Sequence, residues 1–236
     1  MFRFKAFRAI DEPELCEKFV IGHSQVLKQY GVTKVTSSNN DWVSNPFVYV
    51  VTVEHMESGE IVSGLRIHIA HKNYPLPMEL AVSQVDHKIF DLVKKYSVEG
   101  AGEVSGLWNS KTISGYGVGA FLLIRAGISL ATQLGLGSLL ALVAEYTLKP
   151  SLQKGFEIEM GIGNSGTFFY PKLDLVATSI VMHDPKNLPM ADDFEREVIF
   201  DLRNNPVQIK KEEGPKGEFL VHYDLIVANP NWRIDV

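Results

Sequence analysis

Residues 103–120, EVSGLWNSKTISGYGVGA, are the part of the sequence best suited to chemistry. They read as a strand, a glycine-rich turn and the start of a helix. Glycines at 115, 117 and 119 permit positive φ and let a ligand approach the backbone, while the first-turn amides and the dipole of the helix attract negative charge. Such a turn holds a diphosphate without any lysine. The plainer alternative is a turn with a structural role only. Elsewhere the reactive residue types are sparse. His68 and His71 lie where a strand runs into a loop, off any shared helical face and with no cysteine beside them, so no metal site is expected. Ser105 is one position out of register with the G-x-S-x-G nucleophile elbow. The single cysteine, Cys16, falls in an amphipathic helix and is expected to be a buried thiol.

The chain that must position this turn has 236 residues, 45% hydrophobic and 22% charged, which is ordinary for a globular protein and excludes disorder and collagen-like repetition. Without a linker, repeat or low-complexity tract, it reads as one mixed α/β domain over 1–236, with a core at about 2–183 and an extension over 184–236. Lys+Arg 23 against Asp+Glu 28 gives a net charge of -5, so no nucleic-acid partner is expected. The start, MFRFKAFRAIDEPE, alternates aromatic and basic residues and lacks the layout of a secretion signal. The apolar run 118–134 is interrupted by Arg125, Ser129, Thr132 and Gln133, short of the roughly 20 residues a membrane span needs. Cytoplasmic residence is the expectation.

Period-two alternation predicts a strand at 2–8 and a hairpin of strands 47–54 and 61–69. In the second hairpin strand Gly64, Arg66 and His68 face away from Ile61, Leu65, Ile67 and Ile69, toward a cleft or toward solvent. A helix runs from Asp11, its N-cap with Glu14 as capping-box partner, to near Gly31, burying Leu15, Phe19, Val26, Leu27 and Tyr30. A second helix is predicted over 82–96 with Val85, Ile89, Phe90 and Val93 inward. Strand 103–108, an almost wholly covered helix 119–134 and strand 138–144 form a parallel pair with a crossover. A short helix over 147–154 follows, started near Thr147 because Pro150 fits only a first turn. A strand at 175–183, an acidic helix-like or irregular segment at 192–201, a charged turn at 210–216 and a last strand at 219–227 complete the chain.

Two phosphate-binding patterns fit the glycine turn. Gly115-x-Gly117-x-x-Ala120 satisfies the loose dinucleotide fingerprint, with Glu145 after the next strand as ribose ligand, and implies an NAD(P)-dependent oxidoreductase. Ser114-x-x-Gly117-x-Gly119 resembles instead the Q/R-x-x-G-x-G/A acyl-CoA loop of the GNAT N-acyltransferases. The element order over about 2–183, Ala131 and Gly135 on the long helix, and Gly155-Phe156 after the short one are also similar to that family. The resemblance implies an α/β fold with a central, mostly antiparallel sheet containing one parallel βαβ pair. It places acyl-CoA on Leu107, Trp108, Asn109, Ser114, Gly115, Tyr116, Gly117, Val118, Gly119 and Ala120. Ser114 replaces Gln or Arg, which removes a side-chain donor and leaves the diphosphate to backbone amides. A narrower resemblance is to acyl-homoserine-lactone synthases and N-acyl amino acid synthases. It rests on Gly64-Leu-Arg66 with Pro75 and Pro77, and on Glu103-Val-Ser105 set against their E-x-S-R, with Gly106 where arginine is expected. It implies substrate binding by Arg66, while the glycine loop favours a CoA donor over an acyl carrier protein.

Acyl transfer from a thioester to an amine needs the amine unprotonated, although its pKa is near 10. The resemblance and the strand position together make Glu103 the base, acting directly or through a water. Backbone amides around Leu107, Trp108 and Asn109 would face the oxyanion and the pantetheine arm. Many GNAT enzymes have a tyrosine acid four residues before the glycine of Gly155-Phe156. Here that residue is Ser151, which can orient a water, and Tyr146 is the nearest tyrosine, so the acid stays open. The expected activity is transfer from acyl-CoA to a small-molecule primary amine, such as an amino acid. The alternative within the same fold is a non-catalytic acyl-CoA sensor.

Overall fold

The structure is a computed structural model and describes residues 1–29, 40–170 and 175–227. The expected helix end near Gly31, and Tyr30 with it, lie outside the described residues. One ten-stranded mixed sheet carries the fold, in the order β6-β8-β5-β4-β3-β2-β1-β10-β9, with β7 paired to β8. The strands are β1 (Phe2–Arg8), β2 (Val48–His55), β3 (Glu60–Ile69), β4 (Ala101–Asn109), β5 (Ser138–Ala144), β6 (Glu157–Ile158), β7 (Thr167–Tyr170), β8 (Leu175–Met182), β9 (Val207–Gly214) and β10 (Gly217–Asp224). The expected parallel pair is β4 with β5. A second parallel pairing, β1 with β10, joins the two ends of the chain.

Helices cover both faces of the sheet. On one face α1 (Pro13–Gln29) packs Cys16, Phe19 and Val26 with Trp42 and Trp108, and α2 (Pro77–Val82) and α3 (Lys88–Ser97) pack Met78, Val82, Ile89 and Val93 against Ala101 and Leu140. On the other face lie α4 (Ile124–Leu130) and α6 (Asp193–Asn204), the latter occupying the acidic segment. Alternation along the strands explains the division, since Leu139 and Leu140 belong to opposite cores.

Several boundaries depart from the pattern-based expectation. The helix predicted at 82–96 begins only at Lys88, and Val82 instead ends the preceding helix α2; a carboxylate holds a backbone amide at the start of each. Glu79 accepts the Leu76 amide at 2.7 Å and Asp86 accepts the Lys88 amide at 3.0 Å. The break turns Val85 outward at 71% exposure and Phe90 at 46%, against the inward positions expected for them. Asp11 ends a 3-10 turn instead of capping α1, whose first bond runs from the Cys16 amide to the Glu12 carbonyl. The helix expected over 119–134 opens as a π-helical stretch, Val118–Leu123, and α4 stops at Leu130. Helix α5 (Glu145–Gln153) starts directly after β5, so Pro150 lies inside it and not in its first turn. The loss is confined to the bond that would reach the carbonyl of Tyr146, a residue 80% exposed. The charged segment 210–216 is mostly strand, because Lys210 pairs with Asp201 and Lys211 with Glu218 across its flanks.

Candidate active site

β4 is antiparallel to β3 along its length and parallel to β5 only from Ala101↔Ser138 to Val104↔Ala141. Beyond that point β5 stays with β8 as far as Ala144↔Ala177, and β4 stays with β3 as far as Ser63↔Asn109. The two strands therefore separate, and the β5-facing edge of residues 105–109 has no ladder partner. A bulge between Gly64 and Arg66 assists the divergence, with Gly106 at φ 58° as the extra residue. Gly106 is required sterically as well. A Cβ there would stand 2.5 Å from Arg66 Nε. Gly106→Ala is expected to lower stability by about 1–3 kcal/mol through backbone strain alone, read as a lower denaturation midpoint.

The glycine turn leads from the end of β4 into the helical stretch, with Gly119 against Asn109 and Tyr116 against Phe2 and Phe219. Gly115 and Gly117 have φ of 88° and 74°, and the Leu122 amide bonds back to the Gly117 carbonyl at 3.4 Å. The first amides of the helical stretch have no helical acceptor and point out of its start. Gly119 lets that start rest on the end of β4, since a Cβ would lie 2.9 Å from Asn109 Cγ. The glycines at 115, 117 and 119 thus meet a positive φ or a close approach in each case.

On the α1/α2 face, Glu103 is wholly buried opposite His68, and its Oε2 accepts the Met78 amide at 2.8 Å. Burial pushes its carboxyl up to about 8, against the pull of the Met78 bond and the Arg66 charge. The folded state therefore keeps a proton that the unfolded chain releases near 4.5. The sign follows: stability contributed by Glu103 falls as pH rises from about 4.5 to about 8, and is level outside that window. Denaturation midpoints for wild type and Glu103→Gln are expected to converge at the acid end of the window and separate toward its alkaline end, with the variant the more stable there.

Arg66 lies under the bulge, its guanidinium 4.7 Å from the Trp42 ring centroid and 5.9 Å from that of Phe19. Its strand face is buried, not solvated, because β3 is a central strand covered on both sides. His68 shares that face, and burial followed by the Arg66 charge holds its imidazole neutral. Among the described residues, the buried atoms His68 Nε2, Ser105 Oγ, Trp108 Nε1 and Asn109 Oδ1 have no hydrogen-bond partner. Of these, Ser105 and Asn109 lie on the stretch of β4 beyond its pairing with β5, His68 lies on β3 opposite Glu103, and the Trp108 ring points into the α1 core. Unsatisfied buried polar atoms are costly and mark a place where water or a ligand completes the structure.

Other sequence-predicted positions are placed less directly. The Trp108 ring turns away into the α1 core, so only the backbone of Trp108 lines the strand edge, and its carbonyl accepts Ser63 Oγ at 2.7 Å. The Val118 side chain is buried in the core, Leu107 is half-buried, and Ser114 is exposed at the end of a 3-10 turn. Tyr116 packs on Phe2 and Phe219. Ser151 Oγ donates to the Thr147 carbonyl at 2.8 Å, so its proton is used within α5. Cys16 is buried and its thiol is pushed up to about 12 by burial, which suits packing and not nucleophilic attack. No group of three or more His, Cys, Asp or Glu residues fit to hold a metal occurs among the described residues. No helix of the described residues is long and apolar enough to cross a membrane. Sequence reading missed His68 as a buried group and the apposition of the 214–217 turn to the glycine loop.

No family model matches the chain, and no curated protein matches its sequence. Solved structures do. An N-acyl amino acid synthase, FeeM, from uncultured soil microbes aligns with a TM-score of 0.58 at 14% identity, covering 79% of this chain and 92% of its own. A CoA-dependent acyl-homoserine lactone synthase, BjaI, aligns at 0.54 and 12% identity over 86% and 90%. A mosquito arylalkylamine N-acetyltransferase, like 5b, aligns at 0.53 and 16% over 77% and 99%. The fold is the GNAT fold. Its mixed sheet is not the doubly wound parallel sheet in which the dinucleotide fingerprint operates: β5 has an antiparallel neighbour in β8, and Glu145 opens α5 at the surface.

Proposed function

We propose that the protein transfers an acyl group from acyl-CoA to a small-molecule primary amine. The observation that carries this reading is the separation of β4 from β5 beyond Val104↔Ala141, with the glycine turn following β4 in the chain and buried Glu103 on β4. The diphosphate of the donor rests against the amides of residues 115–120. Its pantetheine arm pairs with the free edge of β4 at Leu107, Trp108 and Asn109, which also brings amides toward the thioester oxygen. Arg66 and Glu103 lie on the acceptor side. Glu103 takes one proton from the ammonium group, directly or through water, the amine attacks the thioester carbon, the C–S bond breaks, and the nitrogen's second surplus proton passes through water to the departing thiolate, which leaves as the CoA thiol. A carboxylate raised to about 8 is a stronger base than an ordinary glutamate and is better matched to an ammonium group. Recognition of a carboxylate-bearing acceptor, such as an amino acid, fits the Arg66 cation. CoA is the preferred donor, with an acyl carrier protein second.

The engagement of Ser151 with Thr147 favours one second reading, an acyl-CoA sensor without turnover, since it leaves no assigned acid for the thiolate. Calorimetric titration with acyl-CoA, followed by thiol release across a panel of amines, tests both readings. Binding with release supports the transferase. Binding without release supports the sensor, and absence of binding removes both.

A further inference from the structure

The turn joining β9 to β10 docks on the glycine loop. Gly214 and Gly217 are paired across it, leaving Pro215 and Lys216 at its tip. The Lys216 amide donates to the Gly115 carbonyl at 3.0 Å. Both turns are cut to fit. A Cβ on Gly214 would stand 2.3 Å from the Tyr116 carbonyl oxygen, and a Cβ on Gly115 would stand 3.0 Å from Lys216 Cε. Aromatic contacts pin the assembly: Phe2, Tyr116 and Phe219 form a mutual edge-on cluster with centroids 5.4 to 5.6 Å apart. The parallel pairing of β10 with β1 anchors the hairpin from behind. As a result the Lys216 stem crosses Gly115, and its ammonium stands 5.1 Å from the ring centroid of Tyr116, between the two positive-φ glycines.

That ammonium rests on the Tyr116 ring and has no acidic partner among the described residues. Lys211 takes Glu218, Lys210 takes Asp201, and Lys216 forms no ion pair among the described residues. Its side chain is exposed, so retaining the charge costs little. We infer that Lys216 is a diphosphate-binding residue of the donor site, a full positive charge placed over the glycine loop by the C-terminal hairpin. The inference rests on the acyl-CoA reading of the cleft. It also revises the expectation that the loop manages without a lysine: the side-chain donor absent at Ser114 is replaced from about 100 residues downstream, in a segment outside the core expected over 2–183.

Calorimetric titration of wild type, Lys216→Met and Lys216→Arg with CoA and with dephospho-CoA tests it. Lys216→Met is expected to bind both about tenfold more weakly, with a shallower salt dependence and an unchanged melting temperature, and Lys216→Arg to recover most of the affinity. Wild-type affinity in Lys216→Met overturns the inference and leaves the acyl-CoA reading intact. So does a loss seen with CoA but not dephospho-CoA, which would assign the lysine to the 3′-phosphate, or an arginine variant as weak as the methionine one. Failure of the wild type to bind either nucleotide overturns the acyl-CoA reading itself, and the inference with it.

Discussion

Glu103→Gln is expected to lower kcat by about 10²- to 10⁴-fold, the usual contribution of a positioned general base, with CoA affinity unchanged. Glutamine keeps the shape and can still face the Met78 amide, but it cannot take a proton from the acceptor amine. The pH profile gives a second, independent reading of the same group. With the wild-type carboxyl raised to about 8 by burial, kcat/KM is expected to climb through that region as the base ionises. In the variant this inflection disappears, and only the ionisation of the amine itself remains. Because the variant also escapes the alkaline-side loss of stability described above, activity is best compared at a pH where both proteins are folded. Equal turnover at saturating donor would place the base elsewhere.

Glu195→Ala is expected to destabilise the protein by about 3–5 kcal/mol, the cost of stripping the anion from a buried ion cluster. Arg125 on α4 donates to Glu195 on α6 through two nitrogens at 2.7 and 2.8 Å, and Lys154 at the end of α5 approaches the same carboxylate at 3.5 Å. Lys154 is 0% exposed, and burial, opposed by Glu195, lowers its ammonium to about 8. Despite its own burial, Glu195 is held below the usual carboxylate range by these two cations. Removing it leaves two cations facing each other away from water. The same cluster ties α6 and α5 to α4, the helix that continues from the glycine turn. Urea denaturation measures the effect, and Glu195→Gln, which keeps hydrogen-bonding capacity, is expected to lose less. A change below about 1 kcal/mol in Glu195→Ala would mean that the cluster is hydrated rather than dry.

The strands and the glycine turn were legible because their signals are local. Valine-rich alternation marks β2 and β3, and closely spaced glycines mark a turn wherever they occur. The same locality explains the failures. Nothing near Arg66 or His68 says that β3 lies in the middle of a ten-stranded sheet with helices on both faces, so of the two readings of its polar stripe, cleft or solvent, the solvated one fails. Asp86 accepts the Lys88 amide before the first turn of α3, and also the Gly163 amide at 2.9 Å, but within an apolar repeat it looks like one more surface carboxylate. Pro150 argued correctly that proline disfavours a helix interior, yet packing of α5 on β5 and β8 outweighs one lost bond. The meeting of Gly115 with Lys216 carries no signal in either segment alone, since each reads as an ordinary turn.

Amide hydrogen exchange with and without CoA tests the central claim most directly, since that claim concerns the free edge of β4 and the amides of the glycine turn. Slowed exchange confined to residues 105–109 and 115–121, with the paired stretch Ala101 to Val104 unchanged, is the predicted result. Saturating CoA that protects other segments while leaving both of these at their unliganded rates would contradict the account.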